Sequence, residues 1–403
     1  MSTGPLRAEL ERVLPERPFE VEFWDGASLP ASNGAGGPRF YVRGPEAIGH
    51  LLRAPGQLGL GRAYVSGAID VDDLDASLEL LDAWEPPPLD RGTQMKLARA
   101  AVRAHGLRFP PRRPQAELVP SGRRHSAARD ARAVRHHYEV GNEFFALFLD
   151  RSMTYSCALF SRGAGSLEEA QEAKLEMVCS KLGLREGETL LDVGCGWGSF
   201  AEHAAKHHGV NVVGITLANA QAEFARRRME RAGLADKVEI RLMDYRDVVP
   251  ELAGRFDAVA SIGMVEHVGE SRIDEYARTL AGALKPGGRL LNHGIARLRM
   301  GDPEAGPFSE RYVFPDAAPL HLSRIQLALE RAGFVTDHVE GLGPDYAVTL
   351  RHWLERLEGR LPDAVKLAGP ERVRVWRLYL RAARRGFETR FMSVYQVRSH
   401  RPE

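Results

Sequence analysis

A doubly wound parallel α/β sheet, preceded by a smaller α+β domain, is the fold class this chain predicts. Three observations carry the prediction. From about residue 131 onward, short apolar runs alternate with helix-length segments, the order of a sheet whose crossovers are helices. The run Leu190-Leu191-Asp192-Val193-Gly194-Cys195-Gly196-Trp197-Gly198 reads as a buried strand that breaks into a glycine turn and opens a helix at Ser199. The length of 403 residues is enough for two domains with a sizeable core.

The small domain is expected over residues 1–90, with short strands at 19–23 and 39–42 among helical stretches. Leu58-Gly59-Leu60-Gly61-Arg62-Ala63-Tyr64 punctuates it, and its last helix stops near Trp84, before Pro86-Pro87-Pro88. Residues 91–130 read as a basic linker, disordered in part. Between Lys96 and His137 there are 11 Lys/Arg against two acids, Glu117 and Asp130, and Pro110-Pro111-Arg112-Arg113-Pro114 interrupts any regular element. The catalytic domain then spans 131–403, with parallel strands expected at 189–193, 211–215, 238–242, 256–262 and 289–295 and a closing strand at 391–398. Residues 372–385, with Val373, Val375, Trp376, Leu378 and Leu380 among arginines, read as an amphipathic helix whose apolar face either packs on the core or meets a membrane. The pair His136 and His137 sits in a basic stretch and reads as a solvated face.

Composition narrows the function classes. Hydrophobic residues make up 44% and charged residues 27%, and the net charge of +1 gives no global pull toward nucleic acid. The basic linker lacks the aromatic interleaving of an RNA-binding module, so no nucleic acid is expected. Cys157, Cys179 and Cys195 contain no Cys-x-x-Cys pair, which argues against a disulfide scaffold and a structural zinc site; no metal is expected. The N-terminus has no apolar signal region, and no apolar run approaches the roughly 20 residues needed to span a bilayer. The expectation is a cytoplasmic protein whose contact with the inner face of the membrane is peripheral.

The glycine turn carries the first chemistry. Glycines at alternating positions let the backbone turn tightly and approach a ligand where a Cβ would clash. The spacing is G-x-G-x-G rather than the G-x-G-x-x-G of dinucleotide sites, and Asp192 lies where a pyrophosphate would otherwise rest. A ligand with amino or cationic groups, S-adenosylmethionine, fits better. Further segments follow successive strands, where open α/β sheets bind ligands. They are Thr216-Leu217 with Gln221, then Asp244-Tyr245 as an acid–aromatic pair for the adenine, then Gly263-Met264-Val265-Glu266-His267 and Asn292-His293-Gly294-Ile295. In this order they specify a class I, Rossmann-like methyltransferase.

Upstream, His136-His137-Tyr138-Glu139-Val140-Gly141-Asn142 runs on to Met153-Thr154-Tyr155-Ser156-Cys157-Ala158. With Asp345-Tyr346 and the segment 379–396, the chain from about residue 130 resembles the cyclopropane-fatty-acyl-phospholipid synthase family, which includes mycolic acid cyclopropane synthases and makers of methylene-branched precursors of tuberculostearic acid. The resemblance implies S-adenosylmethionine contacts from Tyr155, Ser156, Gly194, Gly196, Thr216, Leu217, Gln221, Asp244 and Tyr245. It also implies a bicarbonate ion held by Cys157, Glu266, His293, Tyr346 and the backbone of Ile295. The implied substrate is an oleoyl-type phospholipid acyl chain at an anionic membrane surface, and a homo-oligomer is expected. Glu139 stands where many members carry Asp, and one extra methylene there bears on which proton leaves the product. The leading expectation is a cyclopropane. A methylene-branched chain, served by a partner reductase, is the alternative, and a non-catalytic lipid-binding subunit is a distant third.

Overall fold

The computed structural model describes residues 2–32, 34, 36–106, 111–119, 121–138, 140–301 and 306–403. Glu139 lies outside them. The chain divides into two compact units. One comprises residues 1–118, 306–312 and 369–382; the other holds the remainder.

The smaller unit is built on a four-stranded sheet in the order β2-β1-β3-β4: β1 (Glu20–Phe23), β2 (Ser28–Leu29), β3 (Arg39–Val42) and β4 (Ile69–Val71). Helices α1 (Gly4–Val13), α2 (Pro45–Arg53), α3 (Gln57–Val65), α4 (Leu74–Ala83) and α5 (Arg91–His105) belong to it. Helix α5 corrects the expected linker. Its Leu97, Ala100, Ala101 and Ala104 recur at helical spacing and pack with Leu6, Phe23, Leu29 and Ile48, while Lys96, Arg99 and Arg103 stay exposed. An alanine stripe is too weakly apolar to stand out against so many arginines. The unit then extends to residue 118, where Glu117 is clamped by Arg62 through bonds of 2.7 and 2.6 Å. Residues 306–312 and 369–382, expected in the catalytic domain, also belong to this unit. There Arg374 lies over the Tyr64 ring at 4.1 Å.

The larger unit holds the doubly wound sheet. Its strands are β5 (Thr189–Val193), β6 (Asn211–Thr216), β7 (Val238–Leu242), β8 (Phe256–Ile262), β9 (Leu284–Arg297), β10 (Val335–Gly341) and β11 (Met392–His400), in the order β10-β11-β9-β8-β5-β6-β7. Strands β9, β8, β5, β6 and β7 are mutually parallel. Strand β11 runs antiparallel between β9 and β10, a direction that alternation of apolar residues does not encode. The helices include α6 (Ala127–Tyr138), α7 (Asn142–Phe145), α8 (Leu167–Leu182), α9 (Ser199–His208), α10 (Asn219–Arg231), α11 (Val248–Leu252), α12 (Ile273–Ala283), α14 (Leu322–Arg331) and α15 (Gly343–Glu358), with α13 (Pro307–Tyr312) in the smaller unit. Helix α16 (Leu361–Glu388) breaks at Gly369, whose φ of 77° lies outside helical space. Beyond the break Val373, Val375, Trp376 and Leu380 are buried, so this amphipathic face is spent on packing rather than on a membrane. Layers of apolar side chains cover both faces of the sheet, with Leu191, Val259 and Leu290 in one cluster and Leu190, Ala258 and Leu291 in the other.

Candidate functional site

Strand β5 ends at Val193, and the chain then passes through Gly194, Gly196 and Gly198 at φ of 81°, 54° and 82°. Each value lies in left-handed space that β-branched or bulky residues avoid. The amides of Gly194 and Cys195 both donate to the Ile215 carbonyl (3.0 and 2.9 Å), which anchors the turn to β6. A Cβ at Gly198 would meet Met229 and Ala225 at 3.0 and 3.1 Å, whereas one at Gly196 would meet no atom within 4 Å. Gly198 is thus required by packing. Gly196 faces open space.

That space is a cavity. Gly194, Gly196, Asp192, Tyr155 and Ser156 line it, together with Thr216, Leu217, Gln221 and Tyr245. Nine of the ten expected cofactor residues therefore come together. Asp244 does not line the cavity: its carboxylate accepts from Arg246 Nε (2.8 Å) and Nη2 (2.6 Å), and Arg246 also reaches Asp130 at 3.0 Å. Gln221 is positioned by Thr216, whose hydroxyl donates to Oε1 at 2.9 Å.

Several lining residues escaped the sequence reading. Lys174, on the buried face of α8, is 1% exposed and donates to Ser156 Oγ at 2.8 Å. Burial pulls its ammonium down to about 8 and pushes the Asp192 carboxyl up to about 7, while each charge opposes the other's shift. Asp192 Oδ2 is buried without a hydrogen-bond partner. Such an oxygen fits the hydroxyl or ammonium donors of S-adenosylmethionine. The signal for Lys174 was available, since it interrupts the buried sequence Ala170, Gln171, Leu175, Val178 at helical spacing. His137, expected on a solvated face, is 3% exposed instead. Its Nδ1 lies 3.0 Å from the Val313 carbonyl and its ring stacks on Phe314 at 4.2 Å, so with Tyr138, Tyr155 and Trp197 it forms an aromatic wall of the cavity. His136 is buried too.

The five residues expected around a bicarbonate lie outside the lining of that cavity. Glu266 follows β8 in a short 3₁₀ turn (Val265–His267), and burial raises its carboxyl to about 7, with a backbone hydrogen bond from Ile295 opposing. A Cβ on Gly294 would lie 2.2 Å from Val265 and 3.1 Å from Glu266 Oε2, so glycine there lets the acid close on β9. His293 is 1% exposed, and burial lowers it to about 3, which keeps the ring neutral. Its tautomer is fixed from a distance. Lys181 Nζ, a pure donor, reaches Gln396 Oε1 at 2.6 Å, so Gln396 Nε2 faces His293 Nδ1 at 3.1 Å and donates to it. The proton of His293 is therefore on Nε2, an atom with no protein partner, as is Glu266 Oε2.

Cys157 and Tyr346 meet at one carbonyl. The Cys157 thiol donates to Leu342 O at 3.6 Å, and the Tyr346 amide donates to the same oxygen at 3.1 Å. Leu342 N in turn donates to Val394 O at 2.8 Å, and Val394 pairs with Ile295 across β9 and β11. Tyr346 sits in the first turn of α15, against Phe387 at 4.7 Å. Asp345 beside it accepts from the amides of Phe160 (2.6 Å) and Ser161 (2.7 Å), which holds the segment after Cys157. Burial pushes the Cys157 thiol far up, so it acts as a neutral donor rather than a nucleophile.

The family model for mycolic acid cyclopropane synthetase matches residues 125–397. The chain is 36% identical to a probable fatty acid methyltransferase of Pseudomonas putida, over 96% of this chain and 92% of that one. It is 33% identical to the cyclopropane-fatty-acyl-phospholipid synthase of Escherichia coli K12, over 91% and 89%. Among solved structures, the mycolic acid cyclopropane synthase CmaA1 complexed with SAH and CTAB superimposes with a TM-score of 0.63 at 31% identity, covering 67% of this chain and 98% of that one.

Proposed function

The chain belongs to the mycolic acid cyclopropane synthetase family, and from that premise we propose that it methylates the cis double bond of an unsaturated phospholipid acyl chain and closes a cyclopropane. It is an S-adenosylmethionine-dependent methyltransferase of the class I fold, acting on lipid acyl chains. The observation that carries the finer reading is the pair of buried, unpartnered polar atoms, Glu266 Oε2 and His293 Nε2. One accepts and the other donates, a combination that suits a small ion with both an O–H and anionic oxygens, and bicarbonate is such an ion.

When bound, S-adenosylmethionine supplies an electrophilic methyl group whose addition to an alkene leaves a carbocation, and bicarbonate supplies a base for the proton that must then depart. The protein's part is to hold these in place. Asp192, Gly194, Gly196, Thr216 and Gln221 hold the cofactor, while Lys174 sets the charge behind Asp192. Glu266, His293, Cys157, Tyr346 and the backbone of Ile295 would hold the ion. In the aromatic wall, Tyr138, Tyr155 and Trp197 offer ring faces to a cation, each worth about 0.5–2 kcal/mol.

The experiment is proton NMR of the lipid made by purified enzyme from an oleoyl phospholipid. A cyclopropane gives ring protons upfield of the acyl chain. Signals only in the olefinic region would replace this reading with the methylene-branched product, which calls for a separate reductase. Absence of any product would favour a lipid-binding subunit.

Access to a bilayer is part of the proposal. Among the described residues no helix is long and apolar enough to cross a membrane. Helix α5 instead presents Lys96, Arg99 and Arg103 beside the exposed Met95 and Val102, and Arg112 and Arg113 are exposed a few residues on. Near an anionic bilayer each such cation is worth about 1 kcal/mol. Arg124 is excluded from this set because it pairs with Asp316 at 3.4 Å. Replacing Lys96, Arg99, Arg103, Arg112 and Arg113 with Ser is expected to weaken binding to anionic vesicles at least tenfold, and salt is expected to weaken the parent likewise. Vesicle binding indifferent to both would remove this face from the proposal.

A further inference from the structure

Helices α8 and α9 pack closely because α9 offers Ala201, Ala204 and Ala205 to Leu175, Val178 and Cys179. At the end of that contact remote from the glycine turn, four metal-ligating side chains converge. The ligand atoms of Cys179, His203 and His208 lie within 4.8 Å of one another. Glu176, one helical turn before Cys179, accepts from both rings through the same oxygen: Oε2 is 3.1 Å from His203 Nε2 and 3.0 Å from His208 Nε2. We propose that Cys179, His203, His208 and Glu176 form a structural zinc site that staples α8 to α9.

Donor chemistry favours zinc. One sulfur, two imidazoles and one carboxylate make four ligands of the types zinc takes, and a thiolate with a carboxylate neutralises a divalent ion. Around tetrahedral zinc, bonds of about 2.0–2.3 Å place ligand atoms roughly 3.3–3.7 Å apart. Side-chain rotation of the half-exposed Glu176 and the two histidines closes the remaining gap, with the metal taking the place of the two His–Glu hydrogen bonds. On binding, the Cys179 thiol loses its proton to solvent and the sulfur takes the metal. The expectation of no zinc rested on the missing Cys-x-x-Cys pair, whereas here the ligands come from two helices.

The staple has a clear mechanical use. Helix α8 carries Lys174 to Ser156 and Lys181 to Gln396, and α9 begins at the glycine turn. Fixing the two helices to each other holds both clusters without touching either.

The test uses tag-free, full-length protein stripped with chelator and reloaded with zinc or cobalt(II). The parent is expected to retain one zinc per chain through desalting and to melt roughly 3–5 °C higher at a hundredfold excess over Kd. Its cobalt form is expected to show a thiolate-to-metal charge-transfer band. Cys179→Ala is expected to lose that band and the stoichiometric zinc. His208→Gln, a milder change at a partly exposed position, is expected to lose the zinc-dependent rise in melting temperature while circular dichroism stays that of the parent. Failure of the parent to retain zinc overturns the site. Equal retention by Cys179→Ala also overturns it, and leaves only a surface histidine cluster.

Discussion

Glu266→Gln is expected to lower turnover by about 10²- to 10⁴-fold, the usual worth of a positioned acid–base group, with S-adenosylmethionine affinity within a few-fold of the parent. Glu266 stands outside the cavity lining and holds its unpartnered oxygen near the backbone of β9, so its loss acts on the ion rather than on the cofactor. Stability is expected to move the other way. Burial raises this carboxyl from 4.5 to about 7, so the folded state binds its proton more tightly than the unfolded chain does. That contribution is whole below pH 4.5 and is lost as pH rises through 7, costing the parent about 3 kcal/mol by pH 8. Glutamine carries no such proton. The variant is therefore expected to melt above the parent at pH 8, with the gap closing toward pH 5. Gln396→Leu frees the His293 tautomer but leaves the acid, and is expected to cost nearer tenfold in turnover. Full activity in Glu266→Gln at bicarbonate levels that saturate the parent would remove Glu266 from the mechanism.

What the sequence made legible follows a physical division. Strands β5 and β8 fall on their expected bounds because they are central and apolar, the edge strand β7 because its buried Val238 and Ile240 alternate with Glu239 and Arg241, and the turn after β5 is punctuated by three glycines. Strand β10, Val-Thr-Asp-His-Val-Glu-Gly, went unseen: it is an edge strand with no face fully buried, so no period of two survives in it. Helix α5 was hidden by its arginines. Within the site, residues next to strand ends were readable because an open sheet gathers them there. Lys181 and Gln396 were not, because 215 residues separate them and only the antiparallel placement of β11 beside β9 brings Gln396 opposite His293. The surroundings of Asp244 were hidden for a third reason. Its acid is present and buried, yet Arg246 two residues on takes both oxygens.

The glycine turn allows cofactor binding to be separated from folding. Gly196→Asn is expected to weaken S-adenosylmethionine binding about 10²-fold or more, on the scale of a misplacement of about 1 Å, while the melting temperature stays close to that of the parent. Asparagine is among the few residues that accept left-handed backbone, so the φ of 54° at Gly196 costs it little. No protein atom lies within 4 Å of its new Cβ, and the side chain instead enters the cavity lined by Asp192, Thr216 and Gln221. Gly198→Ala makes the contrast. Its Cβ would press on Met229 and Ala225 at 3.0 and 3.1 Å at a φ of 82°, so stability and binding are expected to fall together. Calorimetric titration and thermal melts of the two variants separate these outcomes. If Gly196→Asn bound the cofactor as tightly as the parent, the open space beside the turn would not be where S-adenosylmethionine lies. The assignment of Asp192 as its neighbour would fall with it.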